Sequence, residues 1–202
     1  MSPDLLLPLI AYAFVTSITP GPNNMMLLAS GVNYGFRRTL PHLCGVSLGL
    51  APMLVGIGLG LGRLFARVPL LYSILHWVGM AYLLWLAWKI ARSGAVSGTE
   101  RKQVPLSFLQ AAAFQWLNPK CWMMVFGALT TYLPSQWHID ALLTLTLVFV
   151  LVNVPCVASW AGLGKICRQF LSNPRAARIF NFVMAALLVT SLRPFKFDSN
   201  LF

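Results

Sequence analysis

The chain has 202 residues, of which 58% are hydrophobic and 9% charged, with a mean hydropathy of +0.73 and a net charge of +11. Soluble domains carry about a quarter charged residues, so this composition excludes an ordinary soluble fold and points to a membrane protein. The excess of Lys and Arg lies between apolar segments, with no basic face and no recognisable nucleic-acid module, which fits topogenic charge at a membrane surface and not nucleic-acid binding.

A spanning helix needs about 20 mostly apolar residues, and six stretches approach that length: 5–30, 40–61, 69–90, 106–133, 141–164 and 176–192. The first has no basic region before it and no convincing cleavage site, so it reads as an uncleaved span and not as a signal peptide. It is interrupted by Thr19-Pro20-Gly21-Pro22-Asn23-Asn24. Proline removes a backbone donor and clashes with the preceding turn, so the helix should kink or unwind there. Freed backbone groups in hydrocarbon cost several kcal/mol unless protein or a wet cavity satisfies them. Local unwinding would offer carbonyls and a half-helix N-terminus suited to a carboxylate. The plainer alternative is a kink with the asparagines capping the second half-helix.

In the second stretch, Gly45 and Gly49, with Gly56, Gly58, Gly60 and Gly62 at its end, resemble no nucleotide loop, lacking a preceding strand and a GK[ST] ending. Small-residue helix contacts in lipid explain them better. Trp77, Tyr82, Trp85 and Trp88 in the third stretch fit packing and an interfacial belt. A polar segment, 93–105, then divides the chain near its midpoint. It separates a first unit, residues 1–92, from a second, residues 106–202, with the segment itself as a basic cytoplasmic linker.

The fourth stretch repeats the pattern of the first, with Gln115-Trp116-Leu117-Asn118-Pro119-Lys120 interrupting it. Lys120 is the one cation well inside an expected span, where lysine costs roughly 2.5–3.5 kcal/mol on insertion scales. None of the four acidic residues, Asp4, Glu100, Asp140 and Asp198, falls inside a span. An anionic group of a substrate is therefore an attractive partner for Lys120; structural, snorkelling and coupling roles stay open. Asn153 and Pro155 form a milder break in the fifth stretch, read as a kink or interhelical hydrogen bond. His42 and His76 are the histidines in or near spans, able in principle to titrate near neutral pH. Cys44, Cys121 and Cys156 read as buried and inert, and Cys167 as lying in a basic loop. No disulfide framework or metal site is suggested.

Three spans per half force opposite insertion of the halves, an inverted repeat whose first and fourth helices are the broken ones. Ten Lys and Arg fall on one side of the expected topology (Arg37, Arg38, Lys89, Arg92, Arg101, Lys102, Lys165, Arg168, Arg175, Arg178) against four on the other. The richer side should be cytoplasmic, leaving both termini periplasmic.

Matched breaks in the two halves are a sequence pointer to a transporter's central site. An intramembrane enzyme would need clustered His, Cys, Ser or carboxylates, and these are sparse. A scaffold whose breaks serve only packing, and a passive channel, are the other rivals.

The TPGPNN segment, Gly35-Phe36-Arg37 after it, the AYLLWLAWKIARS stretch and Asn118-Pro119-Lys120 resemble the LysE/RhtB family of bacterial inner-membrane amino-acid exporters. The AYLLWLAWKIA segment is most similar to the cysteine/O-acetylserine exporter branch. The resemblance implies six helices in two three-helix halves and export driven by protons. It carries no cofactor and leaves the oligomeric state open. By it, Thr19, Pro20, Gly21, Pro22, Asn23, Asn24, Asn118, Pro119 and Lys120 fall on motif positions and would bind a neutral amino acid. The group that carries the coupling proton is not evident, since no carboxylate lies within a span.

Overall fold

A computed structural model of the chain describes residues 3–61, 68–92, 104–133, 138–171 and 173–190. Within them the protein is all helical: α1 Pro3–Ile18, α2 Pro22–Tyr34, α3 Phe36–Gly56, α4 Pro69–Ala91, α5 Phe108–Leu117, α6 Pro119–Tyr132, α7 Ile139–Phe170 and α8 Pro174–Thr190. Several boundaries follow from local chemistry. Pro22, Pro69 and Pro119 stand at the starts of α2, α4 and α6, where the missing N–H costs nothing. Ser107 and Gln110 close a reciprocal capping box on α5. A wider turn, Ile57–Leu61, ends α3, and Gly60 takes a φ of 117° there.

Proline does not interrupt everywhere. Pro8, Pro41, Pro52 and Pro155 lie inside helices. The milder break read at Asn153 and Pro155 leaves α7 continuous for 32 residues, about 48 Å, and Asn153 makes an interhelical hydrogen bond there, to Ser17 of α1. The helix also outlasts its expected end, so Cys167 is helical and not in a loop. Cys44, expected buried, is exposed on α3, whereas Cys121 and Cys156 are buried.

The outward faces are apolar. Along α7, Leu143, Leu147 and Leu151 are exposed at four-residue spacing, Leu147 and Leu151 by about 60%, while Leu142, Leu145 and Phe149 are fully buried. A soluble helix would turn polar residues outward, so this stripe suits a lipid-facing surface. By length and composition, Phe36–Leu61 and Ile139–Arg168 can each cross a membrane, and so can α1 with α2 if that pair, bent by 56°, counts as one span. Trp77–Ala91 is a shorter apolar helix.

The two halves of the chain interlock instead of packing as separate units. α7 lies against α1, α2 and α3, while α3 lies against α5 and α4 against α8. Glycines permit the closest approaches. A Cβ on Gly31 would collide with the Ala161 carbonyl, and one on Gly164 with the Leu28 carbonyl, so α2 and α7 touch backbone to backbone. Gly45 and Gly49 do the same for α3 against Phe108 and Ala112 of α5. Bonds and packing reinforce these contacts: Tyr12 donates to the Met124 carbonyl at 3.3 Å, tying α1 to α6. Leu9, Leu50, Val125, Leu142 and Phe149 share one core cluster that spans both halves.

Candidate functional site

Between α1 and α2 the helical ladder stops for residues 19–21, and each carbonyl freed there finds a partner from elsewhere. The buried Asn24 amide donates to the Ser17 carbonyl at 2.8 Å and the Thr19 carbonyl at 2.7 Å. The Trp160 indole of α7 donates to the Ile18 carbonyl at 3.0 Å. Lys120 of α6 reaches across the chain: its Nζ donates to the Thr19 carbonyl at 2.6 Å, the Thr19 hydroxyl at 2.9 Å and the Pro20 carbonyl at 3.4 Å. The alternative in which the asparagines cap the second half-helix does not hold. Asn24 serves the end of α1, and the start of α2 at Gly21 has no side-chain cap.

The second interruption is a single residue. Asn118 leaves the helical region at φ −91° and ψ 110°, and its side chain accepts from the Lys120 N–H at 3.1 Å. Its carbonyl accepts from the Cys121 N–H at 2.9 Å, so α6 restarts at once.

The two interruptions meet. Asn23 donates to Gln115 Oε1 at 2.8 Å, and the Cys121 thiol donates to the same oxygen at 3.1 Å. Asn153 Nδ2 donates to Ser17 Oγ at 3.0 Å, while the buried Asn153 Oδ1 has no partner. Gly21, Asn23, Asn24, Asn118 and Lys120 enclose one small cavity of about 20 Å³ together with Ser17, Cys121 and Asn153. That space suits about one water molecule. Thr19 and Pro20 do not line it; they are exposed and serve through the oxygens that hold Lys120. Pro22 and Pro119 set the helix starts and stay off the lining.

Charge at the site is sparse. Lys120 has no carboxylate partner among the described residues, and its ammonium rests on the carbonyl end of α1, where the helix dipole favours a cation. Amides, hydroxyls and one ammonium make a donor and acceptor set suited to a zwitterion. Among the described residues no group of three or more His, Cys, Asp or Glu could hold a metal ion.

Ser17, Gln115, Cys121 and Asn153 join the site although sequence reasoning gave them no firm place there. The available signal was polarity inside apolar runs: Gln115 and Asn153 are nearly fully buried. His42 lies elsewhere, with Nδ1 3.0 Å from Ser30 Oγ, beside a separate cavity lined by Asn33 and Lys89. His76 lies on α4, and its side chain is outside the described residues.

The Asn24 contacts make a sharp expectation. Asn24→Ala leaves the Ser17 carbonyl without that donor in a buried setting, which costs about 1–3 kcal/mol. The variant should melt several degrees lower in detergent by tryptophan fluorescence; an unchanged melting point would show the break to be held without Asn24.

The family model described as "LysE type translocator" matches residues 14–190. This chain belongs to the LysE family. It is therefore a translocator and not an enzyme. Among LysE family relatives, the cysteine/O-acetylserine efflux protein of Salmonella typhimurium is 34% identical over 191 residues, covering 94% of this chain and 96% of that protein. The proteins of the same name from Klebsiella pneumoniae, 36% identical over 198 residues, and Escherichia coli K12, 35% over 196, cover 94% of this chain and 95% and 96% of their own lengths. No solved structure matches this LysE family member significantly.

Proposed function

We propose that the protein is a secondary active exporter of small neutral amino acids, of the cysteine, O-acetylserine, threonine or homoserine class, across a bacterial inner membrane. The observation that carries this reading is Lys120, a cation with no carboxylate partner among the described residues, held by backbone carbonyls at the meeting point of two chain interruptions. Membership of the LysE family supports amino-acid export, and the efflux proteins among the relatives favour neutral substrates. Around the cavity the remaining lining, with Val46, Leu50, Met124 and Val157, is neutral. That suits a substrate whose side chain bears no charge.

The substrate carboxylate competes with the Thr19 and Pro20 carbonyls for the Lys120 ammonium. A charge-assisted bond to a carboxylate is stronger than one to a neutral carbonyl, so binding draws Lys120 away from α1. The Asn23 and Asn24 N–H groups at the uncapped start of α2 complete the carboxylate site. Asn153 Oδ1 is the free acceptor for the substrate ammonium, while the Asn118 side chain is already engaged. A cavity of about 20 Å³ cannot hold an amino acid, so the site must open, and releasing Lys120 loosens the contact between the two interruptions. Lys120 thus acts as a latch that substrate undoes.

In this reading α1 with α2, and α5 with α6, each form one broken span, which with α3, α4, α7 and α8 makes six. The halves, residues 1–92 and 106–202, are inverted repeats joined by a cytoplasmic linker at 93–105, with both termini periplasmic. Part of the helix pairing supports it: α3 lies on α5 as α7 lies on α1, and α3 pairs with α7 and α4 with α8, although α2 packs far more closely on α7 than α6 does on α3. Protons are the coupling ion. One proton entering per zwitterion exported moves one charge, worth roughly 3.5 kcal/mol at about 150 mV, enough for a gradient of some 300-fold.

The test is uptake of labelled cysteine, O-acetylserine, threonine, homoserine, leucine and lysine into energised inverted vesicles, with and without an uncoupler. Accumulation of the small neutral members that the uncoupler abolishes is the expected result. Accumulation of lysine alone would overturn the substrate class, and uptake indifferent to the uncoupler would overturn the coupling.

A further inference from the structure

The end of the bundle where α2 passes into α3 has a charged feature that the transport reading leaves unused. Arg37 and Arg38 in the first turn of α3, with Lys165 and Arg168 near the end of α7, line one open concavity of roughly 740 Å³. Among the described residues no carboxylate lines the concavity with them. The described carboxylates are Asp4 and Asp140, which head α1 and α7. Asp140 precedes Arg168 by 28 residues on the same helix, roughly 40 Å at 1.5 Å per residue.

Gly35, at φ 78°, both ends α2 and opens α3, so the carbonyl end of one helix meets the N–H end of the other; no side chain caps α3, and its first N–H groups stay open. A Cβ on Gly35 would lie 3.4 Å from a guanidinium nitrogen of Arg168, so that cation sits at this helix junction, beside Arg37 and Arg38. Like charges gathered in one concavity repel one another unless an anion joins them. Exposed apolar residues stand beside these cations on the same helices: Leu40 on α3, and Leu163 and Ile166 on α7.

Topogenic bias alone does not call for this convergence. Arg175 and Arg178 contribute to the same bias without lining the concavity. We infer that the concavity binds the headgroup of an anionic phospholipid. Arg37, Arg38, Lys165 and Arg168 meet the phosphate together with the first N–H groups of α3, and the acyl chains run past Leu40, Leu163 and Ile166. Basic pockets between membrane helices recognise lipid in this way.

The experiment uses the full chain in neutral detergent, melted with added phosphatidylglycerol, cardiolipin, phosphatidylcholine or inorganic phosphate. The two anionic lipids should raise the melting temperature by roughly 5 °C or more, and phosphatidylcholine and phosphate should not. Arg37→Gln with Arg168→Gln should lose most of that rise, while Arg175→Gln with Arg178→Gln, which removes the same charge, should keep it. Equal loss in both double variants would reduce the effect to diffuse charge and overturn the site. A matching rise with inorganic phosphate would mean a soluble-anion site and overturn the lipid. Mass spectrometry of the intact wild-type complex judges the inference without variants: retained anionic lipid supports it, and phosphatidylcholine retained equally well overturns it.

Discussion

Replacing Lys120 by methionine should abolish accumulation in inverted vesicles, by at least about 100-fold, while the protein still reaches the membrane. Methionine keeps much of the stem and loses the ammonium, and with it the bonds to Thr19 and Pro20. Hydrogen bonds to a charged group contribute about 1.5–3 kcal/mol each, and every 1.36 kcal/mol is tenfold in rate. Two such bonds transferred to the substrate carboxylate therefore account for a loss of that order. Folding should survive, because the Thr19 carbonyl keeps its Asn24 bond and the Pro20 carbonyl is on an exposed residue. Lys120→Arg tests geometry against charge. It retains the cation but carries a planar fork that matches the carbonyls differently, so partial transport is expected. Near-normal transport by the methionine variant would remove Lys120 from the mechanism.

The second large effect concerns assembly. Gly31→Leu should prevent α2 from closing on α7, because the first side-chain atom already collides with the Ala161 carbonyl and comes within 3.1 Å of the Gly164 Cα. Those neighbours are backbone and cannot swing aside. Overpacking a helix contact costs about 1–3 kcal/mol even where side chains can adjust. At the upper end, a chain of this size should melt roughly 6–12 °C lower, or fail to give a single species on size exclusion. Gly162→Ala is the control, since nothing lies within 4 Å of its added Cβ. That variant should behave as wild type; if Gly31→Leu does too, the α2–α7 contact is looser than its backbone geometry indicates.

The elements differ in how far they could be read in advance. The interruptions were legible only in part: proline and asparagine act on their own backbone, but of the inserts 19–24 and 115–120 only residues 19–21 and Asn118 leave the helix, since Asn23 and Asn24 belong to α2 and Gln115 to α5. Pro155 shows the limit of that argument: it too lacks a backbone donor, yet α7 continues through it, because a helix packed on α1, α2 and α3 can accommodate one missing bond. Cys44 shows another limit: an apolar run does not say which side faces lipid, and the exposed face of a membrane helix is as apolar as the buried one. Gln115 and Asn153 were visible as polar residues in apolar runs, but their roles depended on partners 92 and 136 residues away.

Sequence alone determined the helical class, the places where proline and asparagine weaken two helices, and the isolation of one lysine among apolar residues. These follow from backbone chemistry and hydropathy, which are local. Tertiary structure decided what the stops are for. The glycine contacts that bring α2 onto α7 and α3 onto α5 carry the two interruptions together, and only then does the Lys120 ammonium reach the Thr19 carbonyl 101 residues earlier in the chain. Which freed carbonyl an ammonium meets is a matter of helix packing, and packing is a property of the whole chain.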